Sequence, residues 1–312
     1  MKTGTTALSL LLIVSFSGLH ESKAQSLSTK TVVKKTIQYG NQEGELGVAR
    51  GISDAAFGPQ SFTVAPNEHL FLADSVNNRV LIYSKNGEFV RSVSIPQFNI
   101  SDVVVDEDEN IIVYDHSQRT IAQFDSSGKL LKALALDPAA IEILGYFHIV
   151  GSSIYFANAA NKDVLVGNIS SGTLSPPDLV SARDSDGIHG ESGKIYAVDI
   201  EKGRLLKVRV HDIGGVDDAD ISLSVPGILA ARYVGEDQSG RFYIHTERAE
   251  QNNVVLEVKI FDSGGTFLAT TSIPENDYAF WTPKLLMIRR SDGAIVQFLP
   301  EATQAKLRVI PQ

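Results

Sequence analysis

The residues with the most specific chemistry in this sequence are its seven histidines and its single tryptophan. His148 and His189 each lie in a short, mostly apolar segment, and two such imidazoles could share one metal ion if their segments were neighbours. The alternative is one packed and one exposed histidine. The chain contains no cysteine, which excludes disulfides, thiolate catalysis and cysteine-bound zinc. It also contains no Gly-x-Ser-x-Gly nucleophile motif and no glycine-rich phosphate loop.

Two groups of acidic and amide side chains invite a ligand interpretation. The first group consists of residues that each end an apolar run: Asp74, Asp115, Asn158 and Asp199. Because binding sites usually break repeat symmetry, this recurrence favours hydrogen bonds to the following turn over a ring of ligands. The second group is the acidic run Asp106–Asn110, which lacks the glycine and the distal glutamate of a calcium loop. We interpret this run as a solvated turn.

These residues belong to a repeat of about forty residues, the length of one four-stranded propeller blade. Residues 61–87 align with residues 102–128 at a constant offset and without a gap. Each copy has four short runs of β-branched, aromatic or other apolar residues, separated by polar turns that include Asn-Gly or Ser-Gly. Weaker copies follow to the end of the chain, where residues 285–310 supply only three strands of a sixth copy.

The missing strand of the sixth copy is expected at the other end of the chain. Val32–Tyr39 alternates like a fourth strand, and pairing with Lys306–Ile310 would close the ring and remove its exposed edges. The sequence therefore predicts an all-β, six-bladed β-propeller of four-stranded antiparallel blades, closed by an N-terminal strand that pairs with the C-terminal blade. No linker divides the chain, so we expect a single propeller domain over residues 25–312.

Three segments of the first copy follow a known pattern: Phe57–Pro59, Leu72–Ser75 and Asn78–Val80. Together with Gly87 they resemble the NHL repeat, whose pattern is Gly-Pro, a strand, and then Val-Ala-Asp-x-x-Asn-x-Arg-Val. The match is specific in the first copy, moderate in the second and weak from the third copy onward. The resemblance implies a six-bladed propeller but no particular function, because the family includes protein-binding, RNA-binding and enzymatic members.

The mouth of the central channel is the expected binding site, because the first strands surround the channel and loops from every blade converge there. Arg232, Trp281 and Lys284 belong to the copies that have drifted furthest from the repeat. In this acidic chain, two cations near one opening would attract a carboxylate-bearing ligand. The alternative pairs Arg232 with Glu236 and packs Trp281 between blades. The predicted ligand-binding residues are Gln60, Asp102, Tyr146, His148, His189, Arg232, Trp281 and Lys284.

The first residues have the pattern of a secretory signal peptide. A basic start precedes the apolar run Ala7–Phe16, and Ser22–Ala24 offers small residues at the −3 and −1 positions of a cleavage site. The apolar run is too short to cross a bilayer, which needs roughly twenty residues. We therefore expect residues 1–24 to be a signal peptide and the protein to be secreted or periplasmic. An uncleaved membrane anchor is the alternative.

The chain carries 28 basic and 37 acidic residues, a formal net charge of −9 that repels phosphate backbones. We expect no nucleic-acid partner. The sequence predicts an exported, monomeric propeller that binds a protein, peptide or glycan at the channel mouth, without a cofactor and without a membrane segment after cleavage. The alternative function is a metal-dependent hydrolase or lyase with its site in the central channel, and metal analysis of the purified protein would distinguish the two.

Overall fold

The computed structural model describes residues 32–50, 56–136, 146–158, 160–175, 186–212, 217–274 and 284–312. These residues form strands and turns, with one 3-10 turn at Ser75–Asn77. Within the described ranges, no helix has the length and apolar character needed to span a membrane. The strands build six four-stranded antiparallel sheets arranged as the predicted six-bladed propeller.

The N-terminal part of the described chain contains a long strand, a short hairpin and the first two blades. The strand is β1 (Val32–Gln38), and the hairpin is β2 (Ala49–Arg50) with β3 (Ala56–Phe57). Blade 1 comprises β4 (Phe62–Val64), β5 (Leu70–Asp74), β6 (Arg79–Tyr83) and β7 (Phe89–Ser94). Blade 2 comprises β8 (Ile100–Val105), β9 (Ile111–Asp115), β10 (Thr120–Phe124) and β11 (Leu130–Ala135).

The remaining blades continue in chain order around the ring. Blade 3 comprises β12 (Phe147–Val150), β13 (Ser153–Ala157), β14 (Asp163–Asn168) and β15 (Thr173–Leu174). Blade 4 comprises β16 (Ile188–His189), β17 (Lys194–Glu201), β18 (Leu205–Asp212) and β19 (Asp217–Ser224). Blade 5 comprises β20 (Ile228–Glu236), β21 (Phe242–Glu250), β22 (Asn253–Phe261) and β23 (Phe267–Ile273). Blade 6 contributes β24 (Leu286–Ile288), β25 (Ile295–Pro300) and β26 (Gln304–Ile310).

The ring closes in the predicted way, because β1 pairs antiparallel with β26 and completes blade 6. Ile37 of β1 is 1% exposed and belongs to an apolar cluster with Leu307 of β26 and Phe62 of blade 1. Comparable clusters lie in the seams between other neighbouring blades. Each sheet therefore buries apolar residues on both of its faces, and the closure protects the edge that β26 would otherwise expose.

Asp74 and Arg79, which belong to the NHL-like pattern, form hydrogen bonds with the segment that joins β1 to blade 1. Asp74 is fully buried, and its carboxylate accepts hydrogen bonds from Gly47 N and from Arg79 Nε, both at 2.8 Å. Arg79 Nη2 in turn donates to the carbonyl oxygens of Gln42 at 2.8 Å and Glu45 at 2.7 Å. In blade 1 these residues therefore have a structural role.

The equivalent residues of the next two blades hydrogen-bond to their own turns. Asp115 Oδ1 accepts from Gln118 N at 2.9 Å, and Asn158 Oδ1 accepts from Lys162 N at 3.0 Å. The acidic run of blade 2 also forms a turn, in which Asp106 Oδ1 accepts from Asn110 N at 2.8 Å. These contacts agree with the turn interpretation of the acidic run and of Asp115 and Asn158. Asp199 differs, because it lies exposed within β17, which continues to Glu201, and not at the end of the strand.

Candidate functional site

The inner strand of each blade lines the central channel, and the face of the ring at which these strands begin is called the top face here. Equivalent positions of the inner strands lie at this end of the channel. In blades 1, 2, 3 and 5 the residues at this position are Ser61, Asp102, Tyr146 and Arg232. Three of these residues were predicted to bind ligand, so the repeat itself brings them to one level of the channel.

Lys284 crosses the channel at this level. It precedes the inner strand of blade 6, and its Nζ donates to Asp102 Oδ1 of blade 2 at 2.6 Å and to Phe147 O of blade 3 at 2.9 Å. Because blades 3 and 6 are opposite one another in a ring of six, this side chain spans the channel. Ser61 Oγ donates to the same carboxylate oxygen at 2.5 Å, and Phe147 N donates to Asp102 Oδ2 at 2.9 Å.

The ion pair of Lys284 and Asp102 closes the channel from within. Each residue is 6% exposed, so both charges are removed from water. Burial lowers the pKa of Lys284, and the neighbouring Asp102 carboxylate only partly offsets this effect. Two of the predicted ligand residues therefore bind each other and leave the mouth of the channel with a blind end.

The two predicted channel histidines also meet, in the seam between blades 3 and 4. They meet at Asp163, the first residue of β14, whose Oδ2 is 3.1 Å from His148 Nε2 and 3.0 Å from His189 Nδ1. The backbone N of His189 donates to the same oxygen at 2.6 Å. We refer to these three residues as the His–Asp–His cluster. Among the described residues, no group of three or more His, Asp or Glu is arranged to hold a metal ion.

The protonation of the cluster follows from the carboxylate at its centre. Burial raises the pKa of Asp163, but the charge of His148 and the hydrogen bonds from both histidines outweigh burial and hold this pKa below the ordinary 3.8. An ionised carboxylate can only accept hydrogen bonds, so the imidazole nitrogens that face Asp163 carry hydrogen. In the neutral imidazoles, the lone pairs therefore lie on His148 Nδ1 and His189 Nε2.

Aromatic rings hold both imidazoles in place. The ring of Tyr155 stacks on His189 at a centroid distance of 4.3 Å and on His148 at 5.7 Å, with an interplanar angle of 19° in each case. Tyr146 contacts His148 from the channel side at 5.9 Å. The imidazole planes are therefore fixed by packing as well as by hydrogen bonds.

Tyr146 lies between the His–Asp–His cluster and the cations of the channel. Lys284 Nζ is 5.8 Å from the centre of its ring. Burial raises the pKa of Tyr146, the negative charge of Asp163 raises it further, and the positive charge of Arg232 acts in the opposite direction. Arg232 occupies the same register position in blade 5 as Tyr146 does in blade 3, and its positive charge acts on the Tyr146 hydroxyl.

Blade 5 forms a raised wall beside this mouth. His245 lies opposite Arg232 on β21, and β21 continues five residues further to Glu250, whereas β5 of blade 1 ends soon after the equivalent place. A turn of blade 3 reaches the same wall, because Asn161 Nδ2 donates to Ala231 O at 2.9 Å. The top face is therefore asymmetric, because blade 5 extends further than blade 1 and is in contact with a turn of blade 3.

The other predicted residues occupy different surroundings. Gln60 is partly exposed just before β4, and Trp281 lies outside the described residues. Glu236, the alternative partner proposed for Arg232, accepts hydrogen bonds from Tyr196 Oη at 2.6 Å and from Ser192 Oγ at 2.9 Å.

Sequence reasoning missed Asp163 and Tyr155 as members of the site. One signal was present in the repeat alignment, in which Asp163 stands where blade 1 has Arg79. A reversal of charge at a repeat position marks a place where that blade makes different contacts. Tyr155 carried no comparable signal, because aromatic residues are common in buried strands.

Comparisons with known proteins agree with this architecture. A family model, DUF5128, described as a 6-bladed beta-propeller, matches residues 63–162, which span blades 1 and 2 and the start of blade 3. A solved member of the DUF4221 family from Bacteroides vulgatus aligns over 91% of this chain and 98% of its own, with 10% identity and a TM-score of 0.53. Virginiamycin B lyase from Staphylococcus aureus aligns over 90% of this chain and 100% of its own, with 9% identity and a TM-score of 0.45.

No curated protein sequence matches this chain. At 10% identity, the likeness to the DUF4221 protein shows a common fold and nothing about chemistry. The function must therefore be argued from the side chains at the channel mouth.

Proposed function

We propose that this protein is an exported binding module whose channel mouth, on the top face, takes a carboxylate-bearing peptide or glycan. The observation that supports the proposal is the arrangement around Tyr146, where Arg232 and the His–Asp–His cluster lie at the mouth of a channel that Lys284 and Asp102 close. A concave site with a blind end and a few convergent polar groups has the general form of a ligand pocket.

Arg232 is the residue expected to recognise the carboxylate. Its guanidinium can hold a carboxylate through two parallel hydrogen bonds, a geometry that lysine cannot offer. Lys284, the other predicted cation, binds Asp102 and the carbonyl oxygen of Phe147 at the inner end of the site. In a chain with a net charge of −9, the field of Arg232 is a local exception that favours an anionic ligand.

Calorimetric titration with paired probes tests this proposal. The glycan pair is trigalacturonic acid and its methyl ester, and the peptide pair is one acidic hexapeptide with a free or an amidated C-terminus. We expect the wild-type protein to bind the free acid of one pair more tightly, and Arg232→Gln to reduce that affinity at least tenfold. Arg209→Gln, a change at an exposed arginine of blade 4, is the control and should leave the affinity unchanged.

The two pairs distinguish a glycan from a peptide ligand. Binding of the free acid and of its ester or amide with equal affinity would contradict recognition of a carboxylate. Absence of binding to all four probes, or equal binding by Arg232→Gln and wild type, would contradict a ligand site at this mouth.

A further inference from the structure

We propose that Asp163 and His189 form a general-base dyad that hydrolyses an ester or lactone bearing a carboxylate at the channel mouth. This inference rests on the proposed function, because the same mouth must hold the ligand before its ester bond can react. It goes further, because it assigns a reaction to residues that binding alone does not require.

The geometry of the dyad is that of an oriented base. Asp163 Oδ2 accepts from His189 Nδ1 at 3.0 Å, which places the imidazole lone pair on Nε2 at the far side of the ring. A second hydrogen bond, from His189 N at 2.6 Å, holds the backbone to the same oxygen. The stacked ring of Tyr155 prevents the imidazole from turning. A buried carboxylate in this position fixes the tautomer and stabilises the imidazolium that forms when the base takes a proton.

His189, and not His148, has the accessible lone pair. His148 Nδ1 is buried and has no hydrogen-bond partner in the part of the chain that the structure describes. His189 Nε2 is not among the buried nitrogen atoms, and among the described residues nothing hydrogen-bonds to it, although the whole His189 side chain is 10% exposed and that of His148 is 19% exposed. His148 therefore acts as a positioning residue, because its hydrogen bond helps to hold the Asp163 carboxylate in place.

One accessible base is sufficient for hydrolysis. His189 Nε2 takes a proton from a water molecule as the water oxygen adds to the carbonyl carbon of the ester. When the tetrahedral intermediate collapses, the bond from carbon to the alcohol oxygen breaks and the leaving oxygen takes the proton back from His189. The products are a carboxylic acid and an alcohol, and no electrons are gained or lost.

The surroundings of the dyad favour an ester over an amide. No serine or threonine hydroxyl of the described residues hydrogen-bonds to either imidazole, so water is the nucleophile. Water activated by one imidazole is suited to esters and lactones, whose alcohol leaves more readily than an amine. Arg232, on the same mouth, would hold a free carboxylate of the substrate and orient its ester bond towards His189.

Release of nitrophenolate from two probes tests the inference. The probes are mono-p-nitrophenyl terephthalate, whose rigid para-carboxylate cannot attack its own ester, and p-nitrophenyl benzoate, which has no carboxylate. We expect the wild-type protein to hydrolyse the terephthalate ester with the higher kcat/KM, and His189→Gln to lower that value by about 10²–10⁴-fold. His116→Gln, a change at an exposed histidine of blade 2, should have no effect.

Two further variants separate catalysis from structural support. Asp163→Asn should lower kcat with little change in KM and shift the pH profile, because the neutral amide no longer stabilises the imidazolium. His189→Ala should regain part of its activity when free imidazole is added, an effect that a merely structural histidine would not show. Circular dichroism confirms that each variant is folded.

Every outcome bears on one of the two proposals. The dyad is overturned if the wild type and His189→Gln hydrolyse the esters at the same rate, or if neither hydrolyses them. If the carboxylate probes of the binding experiment still bind in that case, the proposed function stands alone. If neither esters are cleaved nor carboxylates bound, both proposals are wrong.

Discussion

Lys284 illustrates how the role of a single residue depends on a distant partner. In the sequence, Lys284 and Asp102 are a lysine and an aspartate near the starts of two repeats, and both were predicted to bind ligand. In the fold, they form a buried ion pair across 182 residues of chain. Nothing near either residue reveals this pairing, because it depends on how many blades close the ring.

Removal of one partner of this pair should be costly. Lys284→Met leaves Asp102 buried without its cation, and the free energy of unfolding should fall by about 3–5 kcal/mol in urea titrations. The double variant with Asp102→Asn should recover most of this loss, because no charge remains buried. Lys202→Met, which removes an exposed lysine from its pair with Glu201, should cost less than about 1 kcal/mol. Equal losses for Lys284→Met and Lys202→Met would contradict the plugged channel.

The acid sensitivity of the fold should include a contribution from His245. Burial, and then the charge of Arg232, lowers the pKa of His245 to about 3 from the ordinary 6.5. The unfolded chain therefore binds a proton below pH 6.5 that the folded protein binds only near pH 3. Between these values, His245 makes the free energy of unfolding fall by about 1.4 kcal/mol per pH unit as the pH is lowered.

Urea titrations at pH 6, 5 and 4 measure this effect. As the pH is lowered, the free energy of unfolding of His245→Gln should fall less steeply than that of wild type. The difference in slope should correspond to about one bound proton. Val258→Ala shortens the residue opposite His245 and should lower stability by the same amount at each pH. Parallel slopes for His245→Gln and wild type would show that His245 titrates normally in the folded protein.

At the scale of elements, the repeat predicted the blades well where the local pattern is complete. The strands of blades 1 and 2 and the pairing of β1 with β26 are confirmed. Alternation of apolar and polar residues and the turn pairs were sufficient there. The candidate site was predicted only in part, because its inner strand β16 has two residues and Asp163 acts through a contact between blades. Local pattern does not report such contacts.

The closing strand provides a direct test of the ring. Ile37 of β1 is buried between blades 6 and 1, whereas its neighbour Thr36 is exposed. Ile37→Ala should lower the free energy of unfolding by about 2–5 kcal/mol, and Thr36→Ala should change it by less than about 0.5 kcal/mol. If both variants have the stability of wild type, β1 does not contribute to closure.

On the scale of the whole molecule, six similar blades produce a strongly asymmetric top face. β21 of blade 5 has nine residues and β5 of blade 1 has five, a difference of about 13 Å at 3.3 Å per residue. The longer strand rises beside Arg232 and the mouth. The repeated blade thus gives a top face whose blades differ in height, as expected where some repeats have diverged from the rest.

Export of the whole molecule is a prediction that intact-mass analysis can check. We expect material recovered from the periplasm or the medium to begin at or near Gln25, because the small residues before it suit a signal peptidase. Expression with and without residues 1–24 provides the control. Recovery of the full-length chain in the cytoplasm would contradict cleavage and favour the membrane-anchor alternative.

The plug of Lys284 and Asp102 also decides how a polymer can engage this protein. Because Lys284 of blade 6 binds Asp102 of blade 2 and the carbonyl oxygen of Phe147 in the opposite blade 3, a long chain cannot thread through the ring from one side to the other. A polysaccharide or polypeptide must dock by a terminus or a side branch and withdraw by the same route. The fraction of protein molecules with bound ligand should therefore increase with the number of chain ends. At equal mass, a sample of short oligomers should occupy more molecules of this protein than the intact polymer does.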